Sequence, residues 1–241
     1  MEMDWGLKPQ YKAIYDEMRG RNSKSLSEQG VWPDEVLQSA EIDTRVGLGL
    51  FAFPQTTLGQ GFDHMIADAR ERFPAQVVYT PDRAQPQDGI LHFTFFQLFK
   101  AAGLPPDFTA TDASHYIATL QDIFSRFPPF TIKYSGLIAV PTGLLMYGYP
   151  SEDVNQYRDE LRSALSTNGL PFEEPYKTDI VHSTCLRLCT TEDAQELLRF
   201  ADDYKEVDLG TLSVDALTLG FGSWRMWDEE CPLLKEIPLQ G

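Results

Sequence analysis

Two apolar runs about ninety residues apart, "LHFTFFQL" (91–98) and "VHSTCLRL" (181–188), each carry a histidine followed two positions later by a threonine. In a strand, residues i and i+2 leave the same face about 6–7 Å apart. His92 therefore points with Thr94, and His182 with Thr184. The neighbours are strongly apolar: Leu91, Phe93, Phe95, Phe96 and Leu98 in one run, Val181, Leu186 and Leu188 in the other. An imidazole among such neighbours is costly unless its nitrogens find partners. A fold for this chain must give both faces something polar to meet. Two ordinary core strands, each with a satisfied histidine, would also meet that demand, so the context of the two runs decides.

That context repeats. In the first half, "TRVGLGLFAFP" (44–54) reads as a strand ended by Pro54, and "GFDHMIADARERFP" (61–74) as a helix with Phe62, Met65, Ile66 and Ala69 on one face. "AQVVYTP" (75–81) and residues 90–99 follow as strands, with the polar turn "DRAQPQDG" between them. "TDASHYIATLQDIFSRFP" (111–128) is an amphipathic helix with Asp112 or Ser114 as its N-cap. In the second half, "PFTIKYSGLIAVP" and "GLLMYGYP" are strands, and 151–170 is a helix with Ser151 as N-cap and Gly169 as its stop. Residues 180–189 are a strand, "TTEDAQELLRFADDYKE" a capped helix, and "LGTLSVDALTLGFGSW" a final strand pair. Each histidine run follows a similar polar turn, "QPQDGI" or "PYKTDI". Strand–helix–strand–strand, met twice, predicts an α+β fold of two similar lobes. With a pseudo-twofold axis between them, the two histidine strands would lie back to back and face one cleft.

Residues 1–42 stand outside this pattern. "QYKAIYDEMRGR" reads as a short helix through Tyr11, Ile14, Tyr15 and Met18, and "RNSKSLSEQG" as a loop. The segment is expected to be an extension packed on a single bilobal domain spanning 43–241.

Composition narrows the function. The formal net charge is −16, from 36 acidic and 20 basic residues. Such a surface repels a long duplex, whose phosphates must be neutralised by Lys and Arg, but does not forbid a small phosphorylated ligand in a local pocket. Three cysteines, Cys185, Cys189 and Cys231, are too few for a disulfide framework, and they lack the tight pairs of a structural zinc site. No stretch approaches the roughly 18 apolar residues of a membrane span, and the N-terminus lacks the basic start and apolar run of a secretory signal. The chain reads as a soluble, cytoplasmic protein, expected to be a monomer.

Two histidines on opposite sides of a phosphorus atom can serve as general base and general acid. Two threonine hydroxyls can donate to the non-bridging oxygens as charge grows there. A cyclic phosphodiester suits this machinery, because water attacks in line with the leaving ester oxygen, and neither metal nor other cofactor is called for. A serine hydrolase is not indicated, since no G-x-S-x-G elbow occurs.

On these residues the sequence resembles the two-histidine (2H) phosphoesterase superfamily, which includes RNA 2′,3′-cyclic phosphodiesterases, the enzymes called 2′-5′ RNA ligases and cyclic nucleotide phosphodiesterases. The resemblance covers about residues 44–230, through "VGLGLFAFP", "LHFTFF", "FPPFTIKYSGLIAVPTGLLMYGYP" and "VHSTCL". It implies a duplicated bilobal 2H fold, two antiparallel sheets facing a central cleft with helices outside. It also implies His92 and His182 as catalytic residues and Thr94 and Thr184 as substrate-binding hydroxyls. The implied activity is hydrolysis of a nucleoside or oligonucleotide 2′,3′-cyclic phosphate. Alternatives keep the site and change the substrate, to a 2′-5′ or cyclic oligonucleotide or a trimmed RNA end, or keep the fold without turnover as a nucleotide-binding module. The sequence departs from the family in residues 1–42, in the linker "TPDRAQPQDGI", and in its acidity, which favours a nucleotide or short oligonucleotide over a long RNA.

Other residues read more plainly. His64 and His115 lie on predicted helices with no hydroxyl two residues on and suit surface roles. Tyr147, Tyr149, Trp224 and Trp227 could offer a platform to a base, though core packing is the commoner duty. Lys177 and Arg225 could offset phosphate charge or be ordinary surface cations.

Overall fold

Gly- and Phe-rich apolar strands demand cover on both faces, and the chain supplies it with five helices laid around two sheets. The structure, a computed structural model, describes residues 8–38, 45–81, 88–100, 108–174, 177–223, 225 and 232–241. The first half holds α1 (Lys8–Gln29), β1 (Gly47–Ala52), α2 (Gln60–Arg72), β2 (Val77–Thr80), β3 (Gly89–Ile90), β4 (Phe93–Phe99) and α3 (Ala110–Phe124). The second holds β5 (Phe130–Val140), β6 (Gly143–Pro150), α4 (Val154–Thr167), β7 (His182–Arg187), α5 (Ala194–Asp203), β8 (Asp208–Val214), β9 (Ala216–Gly222) and β10 (Leu233–Pro238).

The fold is α+β, with antiparallel pairing throughout except between β2 and β3. One sheet runs β10-β9-β1-β4 and the other β3-β2-β7-β6-β5-β8. Each sheet therefore draws strands from both halves of the chain. The expected final strand pair divides: β8 joins the larger sheet and β9 the smaller, with the crossing at Asp215 between them. β10 adds an edge strand that the sequence pattern conceals, because only Ile237 of "LLKEIP" is buried.

Helices α2 and α5 pack side by side through Phe73 and Phe200, whose rings meet edge to face at 5.3 Å. Phe62, Met65, Ile66 and Ala69 of α2 and Leu197, Phe200 and Ala201 of α5 are buried, the 3.6-residue stripe that makes each helix bind a sheet. On the other side Phe95 of β4 meets Phe124 of α3 at 6.0 Å, and Phe127 stacks on Tyr157 of α4 at 4.2 Å.

Three local expectations are corrected. The stretch read as the loop "RNSKSLSEQG" continues α1 to Gln29, because Leu26 is buried as firmly as Tyr11 and Tyr15 and its packing outweighs the polar residues around it. Gly30, at φ 76°, then ends the helix with its N–H on Leu26 O. Helix α3 is capped by Thr109, with Asp112 completing a capping box, so Asp112 sits at the third helical position. Helix α4 is capped by Asp153, since the Ser151 hydroxyl accepts the Thr131 N–H of β5 instead.

Helix α1 is fastened to the larger sheet. Arg19 donates to Leu137 O at 2.7 Å, and Tyr15 lies 4.9 Å from the Tyr147 ring and 5.8 Å from the Tyr149 ring. The Tyr15 hydroxyl enters the ladder between β6 and β7: it accepts the Val181 N–H at 3.2 Å and reaches Gly148 O at 2.7 Å and Val181 O at 2.8 Å. Tyr15→Phe would strand that N–H in a buried place. The expected cost is about 1–3 kcal/mol of folding stability, measurable by denaturant unfolding against the wild type. Among the described residues no helix is long and apolar enough to cross a membrane.

Candidate active site

The run read as one strand, 90–99, is two strands in different sheets. β3 ends at Ile90 beside β2, the chain turns at Leu91 and His92, and β4 begins at Phe93 as an edge of the other sheet. His92 thus stands at the crossover and Thr94 on β4, opposite Phe51 of β1. The His92 ring meets Phe51 edge-on at 5.6 Å, with Phe53 and Tyr79 at 6.3 and 6.4 Å. Its Nδ1 is 2.7 Å from Ile90 O. A carbonyl can only accept, so the neutral ring carries its proton on Nδ1 and presents Nε2 as a lone pair. Burial among these rings lowers the His92 pKa to about 4, with the Arg187 charge acting in the same sense and the Ile90 carbonyl against it.

The second motif opens β7, a central strand of the larger sheet between β2 and β6. His182 and Thr184 are half-buried, while Ser183 and Cys185 point into the core, where Ser183 exchanges a 2.6 Å hydrogen bond with Tyr134. The His182 pKa is also lowered to about 4, by burial first and then by the positive charges of Arg158, His92 and Arg187. Neither threonine hydroxyl is hydrogen-bonded to another described residue.

Both motif strands bulge one residue after their threonine. In β4, Thr94 pairs Phe51 and Phe96 pairs Leu50, leaving Phe95 as the extra residue; in β7, Thr184 pairs Leu145 and Leu186 pairs Leu144, leaving Cys185. An extra residue reverses the alternation beyond it. Arg187, opposite Gly143, thereby returns to the face of Thr184 and His182, whose partners are Leu145 and Tyr147. Half-buried Arg187 hydrogen-bonds the Tyr79 hydroxyl, and its charge reaches both histidines. Period-two counting from His182 assigns Arg187 to the opposite face, which is why sequence reasoning passed over it. The corresponding position after the first motif is Gln97, whose amide is occupied by Leu48 O and Phe99 O.

The remaining candidates fall outside this cluster. His64 is exposed on α2, 6.4 Å from the Tyr204 ring. His115 is exposed on α3 and lines a separate cavity of about 270 Å³ with Phe99, Phe108 and Tyr116. Tyr147 and Tyr149 are buried under α1. Lys177 is an exposed partner of Asp159 at 2.9 Å. The Arg225 carbonyl accepts the Ile90 N–H at 2.7 Å, and its charge is felt at Tyr79, placing it at the margin of the site. Trp224, Trp227, Cys231 and most of the linker "TPDRAQPQDGI" lie outside the described residues. Cys185 and Cys189 are buried free thiols. Among the described residues no group of three or more His, Cys, Asp or Glu could hold a metal ion.

No family model and no curated protein matches the chain. Solved structures do. E. coli LigT in its apo form is 16% identical, over 82% of this chain and 99% of LigT, with a TM-score of 0.47. A structure described as a phosphoesterase is 18% identical over 82% of this chain and 99% of its own, with a TM-score of 0.48. A conserved protein of Agrobacterium tumefaciens C58 is 15% identical over 90% and 97%, with a TM-score of 0.48. LigT has also been solved with 3′-AMP and with NADP+. The likeness is one of fold and assigns no role to any residue.

Proposed function

We propose that the protein hydrolyses a cyclic phosphodiester, a nucleoside or short-oligonucleotide 2′,3′-cyclic phosphate, by general acid–base catalysis between His92 and His182. The observation that carries this reading is the pair of low-pKa imidazoles, each beside an unengaged threonine hydroxyl, with the Arg187 guanidinium felt by both.

In this reading His92, its proton held on Nδ1 by Ile90 O, accepts the proton of the attacking water through Nε2. His182 donates to the leaving ester oxygen. Water forms the new P–O bond in line as that ester bond breaks, and the product is an acyclic monoester. Thr94 and Thr184 donate to the non-bridging oxygens, where bonds strengthen as charge accumulates. Arg187 supplies a positive charge to the phosphate. The acid must carry a proton, and the neighbouring cations resist that in the free protein; an anionic phosphate between the histidines offsets them and raises the acid's pKa. A net charge of −16 disfavours a long polyanion, so the substrate is small.

The direct test offers the four nucleoside 2′,3′-cyclic monophosphates in the presence of EDTA and resolves 2′- from 3′-monophosphate. Turnover to a single isomer, undiminished by EDTA, is expected. Failure on all four, with the folded protein binding a mononucleotide, would replace the enzyme by a binding module.

A further inference from the structure

A fully buried arginine with no carboxylate at ion-pair distance among the described residues is an expensive thing for a core to hold. Arg158 of α4 is one: its exposure is 0%, and its guanidinium lies 5.8 and 5.9 Å from the Phe93 and Phe95 ring centroids. A hydrocarbon side chain would fill the volume without the desolvation. What a hydrocarbon cannot do is reach two backbones at once. Arg158 Nε donates to Phe95 O at 2.8 Å, and Nη1 donates to Ile180 O at 2.9 Å. Phe95 is the bulge residue directly after Thr94, and Ile180 lies two residues before His182. One rigid fork therefore spans the two sheets at the two motifs.

The approach to His182 is held at every residue. Asn155 Nδ2 donates to Asp179 O at 3.0 Å, Arg158 takes Ile180 O, and the Tyr15 hydroxyl takes the Val181 N–H. Asn155 also orients the fork, its Oδ1 accepting from Arg158 Nη1 at 3.0 Å, and its Nδ2 reaches the Tyr11 hydroxyl at 3.3 Å. Helices α1 and α4 thus converge on the three residues that deliver His182.

We propose that Arg158 is a positioning residue that sets the separation of the two half-sites, tying the Thr94 strand to the entry of the His182 strand. This rests on the cyclic phosphodiesterase reading only for its kinetic consequence. A displacement near 1 Å at a reacting group can cost about 10²-fold in rate. Lysine keeps the charge but cannot serve both carbonyls with a planar fork.

Arg158→Lys and Asn155→Ala are tested beside the wild type by steady-state kinetics, thermal unfolding and NMR of the His182 ring, with His182→Gln to identify its signal. Asn155 is only half-buried, so its variant keeps the test open if Arg158→Lys does not fold. Both folded variants are expected to lose about 10²-fold in kcat with KM little changed. The His182 signal should move, and its titration, set by burial first and then by the charges of Arg158, His92 and Arg187, should shift from the wild-type position. A role in stability alone would lower the melting temperature and leave kcat and the ring signal where they were, and that result overturns the proposal. If the wild type turns over no cyclic phosphodiester, the enzymatic reading fails, while the His182 signal still decides whether Arg158 positions that half-site.

Discussion

His92→Gln or His182→Gln is expected to lower kcat by about 10²–10⁴, and the double substitution little further, because in the proposed mechanism the two rings act as one unit. Glutamine keeps a polar group of similar size and loses the proton transfer. A folding control comes from the same rings. Both pKa values are lowered to about 4 from an ordinary value near 6.5. Below pH 6.5 the unfolded chain binds protons that the folded chain refuses, so the stability these groups contribute is intact above that pH and is lost as pH falls toward 4. Wild-type melting temperature should therefore drop between pH 6.5 and 4, and each glutamine variant should drop less. A variant inactive at pH 7 yet relatively more stable than wild type at pH 5 would separate lost chemistry from lost structure. Near-full turnover in either variant would end the two-histidine mechanism.

Thr94→Val and Thr184→Val carry the next largest effect. Each removes a hydroxyl that no described residue engages and keeps the branched shape of the side chain. Donors aimed at developing negative charge are worth about 10²–10³ in kcat, and because their bonds strengthen in the transition state, KM should change far less than kcat. Serine at either position should restore most of the rate. Steady-state kinetics on a 2′,3′-cyclic nucleotide reads all four variants. Valine variants that raise KM with kcat intact would instead make these hydroxyls ground-state binders and leave the charge to Arg187.

Much of the molecule was legible locally. Phe62, Met65, Ile66 and Ala69 at helical spacing located α2, and Gly169 marked the end of α4. The first half of α1 showed through Tyr11 and Tyr15; its second half did not, because one buried leucine, Leu26, carries a turn otherwise made of polar residues. Cap positions moved by a few residues wherever two capable side chains competed, as Ser151 and Asp153 did. The polar segment before β7 gave no hint that Asn155, Arg158 and Tyr15 would grip three successive residues of it.

What the sequence determined by itself was the local pattern of each motif run, a histidine followed two residues on by a threonine among apolar neighbours. Alternation along a strand is a two-residue property, so His182 and Thr184 could be paired without knowing where β7 lay, whereas His92 stands at the crossover before β4 rather than on the strand of Thr94. What only the tertiary structure decided was everything that depends on partners distant along the chain. The break of the first motif run between two sheets, the division of β8 from β9, and the return of Arg187 to the site through the bulge at Cys185 are settled by which strands pair and in what register. Register is a contest between whole strands and the helices packed on them, and no short window of sequence contains both sides of it.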